Sequence, residues 1–258
     1  MIENKPRAHV VARAAQLLAD AGRSGCRTPD FEGPWRLESA DEAFGVQKSV
    51  SVEMGGALAW KVSADPRLPA GLSYAPIFAG QLHASPAIFP EQDDALIVVE
   101  AELAFTLSQP LPPERGPFDR AAASRAIDAG RLVIELVCSR FSTPLGQLSP
   151  LHLLADCGGS AALILGGEVG LDALGAPEEM AVSLAHDGAQ VCAQMGVAHD
   201  PVGLLVRLAN HLNMDGDMLR AGDVVTTGAI CYAVAQPGRY VARLGDAVAE
   251  VQIRGRGA

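Results

Sequence analysis

Leu96-Ile97-Val98-Val99-Glu100-Ala101-Glu102-Leu103-Ala104-Phe105-Thr106-Leu107 is apolar and rich in β-branched residues, with neither Gly nor Pro to interrupt it. Such a run reads as a buried strand. Side chains alternate along a strand, so Glu100 and Glu102 share one face, about 7 Å apart at the usual rise per residue. Moving a carboxylate out of water is costly, and a second like charge beside it costs more. Two readings follow. The segment is an amphipathic edge strand with both acids in solvent, or it is a core strand whose acids share a cation. A divalent ion suits the second reading, because it offsets both charges and takes hard oxygen ligands.

Two further segments favour the buried reading. Arg131-Leu132-Val133-Ile134-Glu135-Leu136-Val137-Cys138 is apolar around a single carboxylate, and Ala57-Leu58-Ala59-Trp60-Lys61-Val62 is apolar around a single lysine. Surface strands alternate polar and apolar residues cleanly, and these do not. Glu100, Glu102, Glu135 and Lys61 are therefore expected to meet in one buried site.

The chain has 258 residues, of which 49% are hydrophobic and 5% aromatic, so its core must be built mainly from Leu, Val, Ala and Ile. A formal charge of −10 without a basic tract argues against binding nucleic acid or an anionic membrane. The polar N-terminal segment lacks the apolar centre of a signal peptide, and no run is long enough to span a bilayer. A cytoplasmic location is expected. Cys26, Cys138, Cys157, Cys192 and Cys231 are widely spaced and odd in number, which fits reduced thiols better than a disulfide framework or a zinc site.

In chain order, residues 6–21 read as an amphipathic helix ended by Gly22, and residues 39–47 as a second helix with Ser39 as cap and Glu42 completing a capping box. Residues 65–89 are rich in Pro and Gly and read as a loop, in which Pro76-Ile77-Phe78-Ala79-Gly80-Gln81-Leu82 is apolar enough to line or cover a site. A short helix is expected over residues 119–129. Ser149-Pro150 starts another that runs to Asp156 and the Cys157-Gly158-Gly159-Ser160 turn. Asp187-Gly188 joins two strands as a type I′ hairpin. Asp200-Pro201 opens a helix, and strands follow at 224–228, 240–244 and 247–253. Strands without strict helix alternation predict an α+β fold with a mixed, curled β-sheet and peripheral helices. Residues 1–55 are expected to form an N-terminal helical segment packed on a catalytic body spanning 56–258.

An octahedral ion on three glutamates keeps three positions for water or substrate, and a 2-oxo acid can chelate through its carboxylate and 2-oxygen. The ion would take up charge that develops on that oxygen, and Lys61 could move a proton or hold the substrate carboxylate. The lack of His near the acids argues against zinc.

Trp60-Lys61-Val62, Glu100-Ala101-Glu102-Leu103-Ala104-Phe105, Glu135-Leu136-Val137-Cys138-Ser139-Arg140, Ala155-Asp156 followed by Ser160, and Ala221-Gly222-Asp223-Val224-Val225-Thr226-Thr227-Gly228 occur in this order. Together they resemble the 2-keto-4-pentenoate hydratase and 4-oxalocrotonate decarboxylase group of the fumarylacetoacetate hydrolase superfamily, over nearly the whole chain. The resemblance implies the β-roll fold of that superfamily, Mg or Mn on Glu100, Glu102 and Glu135, and catalytic roles for Lys61, Asp156 and Ser160. It implies substrate contacts from Phe78, Gly80, Leu82, Arg140 and Thr227, and a homo-oligomer. The implied reaction is hydration of a 2-hydroxy-2,4-dienoate to a 4-hydroxy-2-oxo acid by way of an enolate. The alternatives are decarboxylation of a 4-oxalocrotonate-type acid, or a non-catalytic paralogue that partners an active lyase.

The sequence departs from that group's pattern. Cys138 stands where Asp is usual, Val98 replaces a basic residue, and Ala59 and Ser63 replace glycines. Taken singly, Lys61 also fits a snorkelling lysine at a sheet edge. Asp156 also fits a turn residue, Ser160 and Thr227 fit turns and strand ends, and Arg140 fits a partner for a core acid. His83 stays open as a contact from the covering loop.

Overall fold

The computed structural model describes residues 7–68, 71–90, 97–170, 177–197 and 199–255. Five α-helices are present among them: α1 (Ala8–Ser24), α2 (Ala40–Glu53), α3 (Arg120–Ala126), α4 (Pro150–Ala155) and α5 (Pro201–Met214). The strands are β1 (Ala57–Ala64), β2 (Leu72–Phe78), β3 (Leu82–Ala84), β4 (Ala87–Pro90), β5 (Val98–Leu107), β6 (Ile127–Val137), β7 (Ser160–Val169), β8 (Ala181–His186), β9 (Ala189–Met195), β10 (Val224–Val234), β11 (Gly238–Leu244) and β12 (Ala247–Arg254). Leu96, where the decisive run was taken to begin, lies outside the described residues.

Seven strands form one mixed sheet in the order β2-β1-β10-β5-β6-β7-β3, and five form a second in the order β4-β12-β11-β8-β9. In the large sheet β1 runs parallel to β10 and β3 parallel to β7, while the other neighbours are antiparallel. Ile77 of β2 and Leu82 of β3 belong to opposite edges of this sheet, yet both pack with Ala59, Ala104, Val133 and Leu163 in one small cluster. A flat sheet would hold them several strand widths apart. The sheet is therefore rolled, with that cluster on its concave face.

Strand alternation assigns the two faces. Val99, Ala101, Leu103 and Phe105 of β5, with Leu132, Ile134 and Leu136 of β6, enter the main core, which the second sheet and α5 cover. Glu100, Glu102 and Glu135 occupy the intervening positions and point inward with Ala104 and Val133. The main core uses the convex face; the acids have the concave one.

Helix α1 runs past Gly22 to Ser24, two residues beyond the expected stop, and Gly25 closes it with a left-handed backbone and a hydrogen bond to Ala21 O. Its buried face, Val10, Ala14 and Leu18, packs on Ala43, Val46 and Val50 of α2, and this pair rests on Phe78, Phe141 and Leu154. Helix α2 is capped by Ser39, whose hydroxyl accepts from Glu42 N. The expected capping box is corrected, because the Glu42 carboxylate does not return to its own cap. It accepts from Arg7 Nε at 2.7 Å and from Glu38 N at 2.8 Å, and the Arg7 hydrogen bonds hold its pKa down to about 2.

The loop expected over residues 65–89 is corrected too. Pro76-Ile77-Phe78 completes β2, which pairs antiparallel with β1 through Lys61↔Ala75 and Trp60↔Pro76. Pro76 is tolerated because β2 is an edge strand, where a missing backbone donor costs no ladder bond. The hairpin at Asp187-Gly188 has positive φ at both residues, 47° and 83°, as a type I′ turn requires. No helix among the described residues is long and apolar enough to cross a membrane.

Candidate active site

The three glutamates meet. Glu100 of β5 stands directly opposite Glu135 of β6, and Glu102 opposite Val133, so the acids fall on alternate rungs of one ladder and share a face. One carboxylate oxygen from each lies within 4.8 Å of the others. Glu102 and Glu135 are fully buried and Glu100 is partly so.

Each carboxylate is oriented differently. The Thr226 hydroxyl and Gly228 N both donate to Glu102 Oε2, the latter at 3.0 Å. Gly228 adopts φ 96° where the β10–β5 register shifts between Thr226 and Ala229, and that irregularity turns its N–H toward Glu102. Lys61 Nζ donates to Glu135 Oε1 at 2.7 Å and lies 3.4 Å from Gly158 O. Glu135 Oε2 is buried with no partner.

The electrostatics follow from crowding like charges in a dry place. Burial, then repulsion from Glu135 and Glu100, lifts the Glu102 carboxyl well above the ordinary range, with Lys61 and Thr226 opposing. Burial and Glu135 raise Glu100, with Lys61 opposing. Burial alone would lower Lys61, but the attraction of Glu135, Glu100 and Glu102 outweighs it and moves its pKa upward. Lys61 is therefore charged at neutral pH, and one ammonium is too little cation for three carboxylates. The orphaned Glu135 oxygen, the all-oxygen donor set and the mutual spacing suit a hard divalent ion, whose octahedral ligands lie about 3–4 Å apart. Glu100, Glu102 and Glu135 can hold such an ion.

A cavity of about 640 Å³ reaches this cluster. Lys61, Glu100 and Glu102 form part of its wall, with Gly158, Gly228 and Ala229 beside them. Leu151 and Leu154 of α4, together with Leu145, supply an apolar side. The cap of α2 at Glu38-Ser39 and the Asp65–Leu68 turn complete it.

The remaining expected site residues fall elsewhere. Phe78 is buried beneath α1 and α2, Gly80 is exposed, and Leu82 packs on the concave apolar cluster. None of the three is on the cavity wall, because residues 72–78 are a strand rather than a covering loop; α4 takes that position. His83, on β3, is exposed. Asp156 is buried and accepts from Ser139 Oγ at 2.8 Å, Arg140 N at 2.9 Å and Arg140 Nε at 2.6 Å. Arg140 also reaches Leu18 O. That network ties the end of α4 to the segment after β6 and to α1, so Arg140 serves a core acid.

Ser160 Oγ is buried without a partner at the start of β7, and its carbonyl accepts from Gln81 Nε2. The Thr227 hydroxyl donates to Leu103 O at 2.8 Å and anchors β10 to β5. The Thr that touches a carboxylate is Thr226, which the sequence reading passed over. Strand parity could not choose between neighbours next to a bulge; Gly228 was the available signal for the bulge itself. Arg27 Nη2 approaches Cys138 Sγ at 3.6 Å, which fills the place beside the departure from Asp.

No protein-family model matches this sequence, and it matches no curated protein. Solved structures do match. The 4-oxalocrotonate decarboxylase of Pseudomonas putida G7, complexed with magnesium and adipate, superposes with a TM-score of 0.83 over 95% of this chain and 98% of that one, at 17% identity. The same enzyme with calcium and acetate gives 0.81 at 17% identity over the same shares of each chain. The chain has the fumarylacetoacetate hydrolase fold. Fumarylpyruvate hydrolase of Pseudomonas aeruginosa, in complex with Mn2+ and pyruvate, shares it more loosely, with a TM-score of 0.53 over 76% of this chain and 88% of that one, at 14% identity. In this version of the fold the acids lie on the concave face of the rolled sheet, and the cavity reaches them from the side that α4 covers.

Proposed function

We propose that this chain is a divalent-metal-dependent lyase that adds water to a 2-hydroxy-2,4-dienoate and yields a 4-hydroxy-2-oxo acid. The observation that carries the proposal is the convergence of Glu100, Glu102 and Glu135 beside a cavity whose wall includes Glu100, Glu102 and Lys61. The structural neighbours bound to Mg and Mn support the choice of ion. When bound, Mg or Mn would supply Lewis acidity toward the substrate's 2-oxygen and carboxylate.

The chain's own groups divide the remaining work. Thr226 and Gly228 fix Glu102, and Lys61 fixes Glu135, so these two acids are oriented before any ligand arrives. Lys61, protonated and on the cavity wall, is placed to hold the substrate carboxylate or to deliver a proton to the substrate carbon from Nζ. Leu145, Leu151 and Leu154 keep bulk water from the carbon chain, so that the attacking water is one held at the site.

A second reading is decarboxylation of a 4-oxalocrotonate-type acid. The near-complete mutual coverage with the Pseudomonas putida decarboxylase favours it, and the same carboxylates and lysine would serve it. The purified protein, loaded with Mg or Mn, should remove the dienol absorbance of 2-hydroxypenta-2,4-dienoate. Release of CO2 from 2-oxohex-3-enedioate, without hydration of the dienoate, would select the second reading. Failure of both would reject the lyase assignment.

A further inference from the structure

The charges that line the cavity beyond Lys61 and the glutamates bear on what the far end of a ligand can be. Among the described residues they are Glu38, Asp65 and Arg67. Arg67 is already engaged: its Nε and Nη2 donate to the two oxygens of Asp65 at 2.9 and 2.8 Å, and its backbone N donates to Oδ1 at 3.0 Å. This bidentate pair uses the Nε–Nη2 edge of the guanidinium and leaves its Nη1 side as the remaining donor to an incoming carboxylate. Glu38 remains as an anion whose partner, Arg7, is not on the wall. Its side chain is 55% exposed and that of Arg67 73%, which places both at the open end, away from the buried glutamates. The balance there is two anions against one cation, and apolar Leu68, Leu145 and Leu151 line the same cavity.

We infer that the cavity takes a monocarboxylic 2-oxo acid, or its enol, with an uncharged tail, and discriminates against a second carboxylate at the far end. A terminal carboxylate would lose water, meet a net negative rim and have to share Arg67 with Asp65. The inference rests on the metal-site reading above, since the ion sets which end of the ligand is inside. It separates this chain from the decarboxylase neighbour, whose structure holds the diacid adipate.

The test uses the full chain. Mn2+ binding is first measured by electron paramagnetic resonance, and the Mg-loaded protein is then titrated calorimetrically with 2-oxopentanoate and 2-oxopentanedioate, which differ only at the distal carbon. The monoacid should bind about tenfold tighter or better. Asp65→Asn, which removes an anion and releases Arg67, should narrow or reverse the gap, and Glu38→Gln should narrow it independently. Equal affinities, or a tighter diacid, with Mn2+ bound normally would overturn this inference and leave the metal site standing. A gap unchanged in both variants would remove the rim as its cause. A wild-type chain that binds no Mn2+ would overturn the metal site, and this inference with it.

Discussion

Glu100 and Glu135 face each other directly across the β5–β6 ladder, and of the two acids Lys61 bonds Glu135. Like charges at opposed positions destabilise a sheet by up to about 1 kcal/mol, and more where water is excluded. Glu100→Gln removes that repulsion without uncovering a buried cation. In chelator-treated protein it should raise thermal stability by about 1 kcal/mol while weakening Mn2+ binding by 100-fold or so. Thermal unfolding and metal titration of the same samples would read both effects; a variant less stable than wild type without metal would contradict the strain ascribed to the pair.

An ion held by these glutamates would compete with protons for the same oxygens. The Glu102 pKa is raised above its ordinary value by burial and its acidic neighbours. A raised carboxylate pKa gives stability that is complete below the unfolded value and is lost as pH rises through the folded one. The metal-free protein should therefore lose stability from mildly acidic to neutral pH. Mg or Mn should reverse that slope, releasing protons as it binds. Calorimetry in buffers of different ionisation enthalpy would count them, and a count of zero would refute the linkage.

Lys61 is held from two sides. Lys61→Met strands Glu135 as an unpaired buried carboxylate, a loss of about 3–5 kcal/mol that bound metal should partly restore. With metal present the variant should remain folded yet lose about 100-fold or more in turnover. Gly158 is a subtler test. It has φ 64°, and a Cβ there would stand 3.2 Å from Lys61 Cε and 3.3 Å from Nζ. Gly158→Ala should slow turnover with little change in metal affinity, as steady-state kinetics beside metal titration would reveal.

The adjacent threonines should part company. Thr226→Val takes a donor from Glu102 and should cost about 10- to 100-fold in metal affinity. Thr227→Val breaks the bond to Leu103 O and should cost about 1–3 kcal/mol of stability, leaving metal affinity close to wild type. Matching losses of affinity in the two variants would dissolve the distinction.

The acid cluster was legible from sequence because charge inside an apolar, β-branched run violates what packing would choose, and strand periodicity then puts Glu100 and Glu102 on one side. The mixed sheet was legible from the many short strands. Other parts were hidden for physical reasons. Pro76 and the glycines around it looked like loop, and only the edge position of β2 makes a Pro harmless there. The capping box at Ser39 and Glu42 failed because Arg7, distant in sequence, and Glu38 N take the Glu42 carboxylate that would have returned to Ser39 N. Asp156 and Arg140 bond each other, and the sequence could not say so, since a buried acid and base give the same signature whether they hold a ligand or each other.

The rung that joins Lys61 to Thr226 by parallel pairing has a consequence for synthesis. The ammonium and the hydroxyl that tune two different ligands are made far apart in time on the ribosome. A nascent chain that already carries all three acids still lacks the strand that completes them. Until Thr226 emerges, the unfinished polypeptide should hold no ion and perform no chemistry, so a truncated product would be inert rather than misdirected.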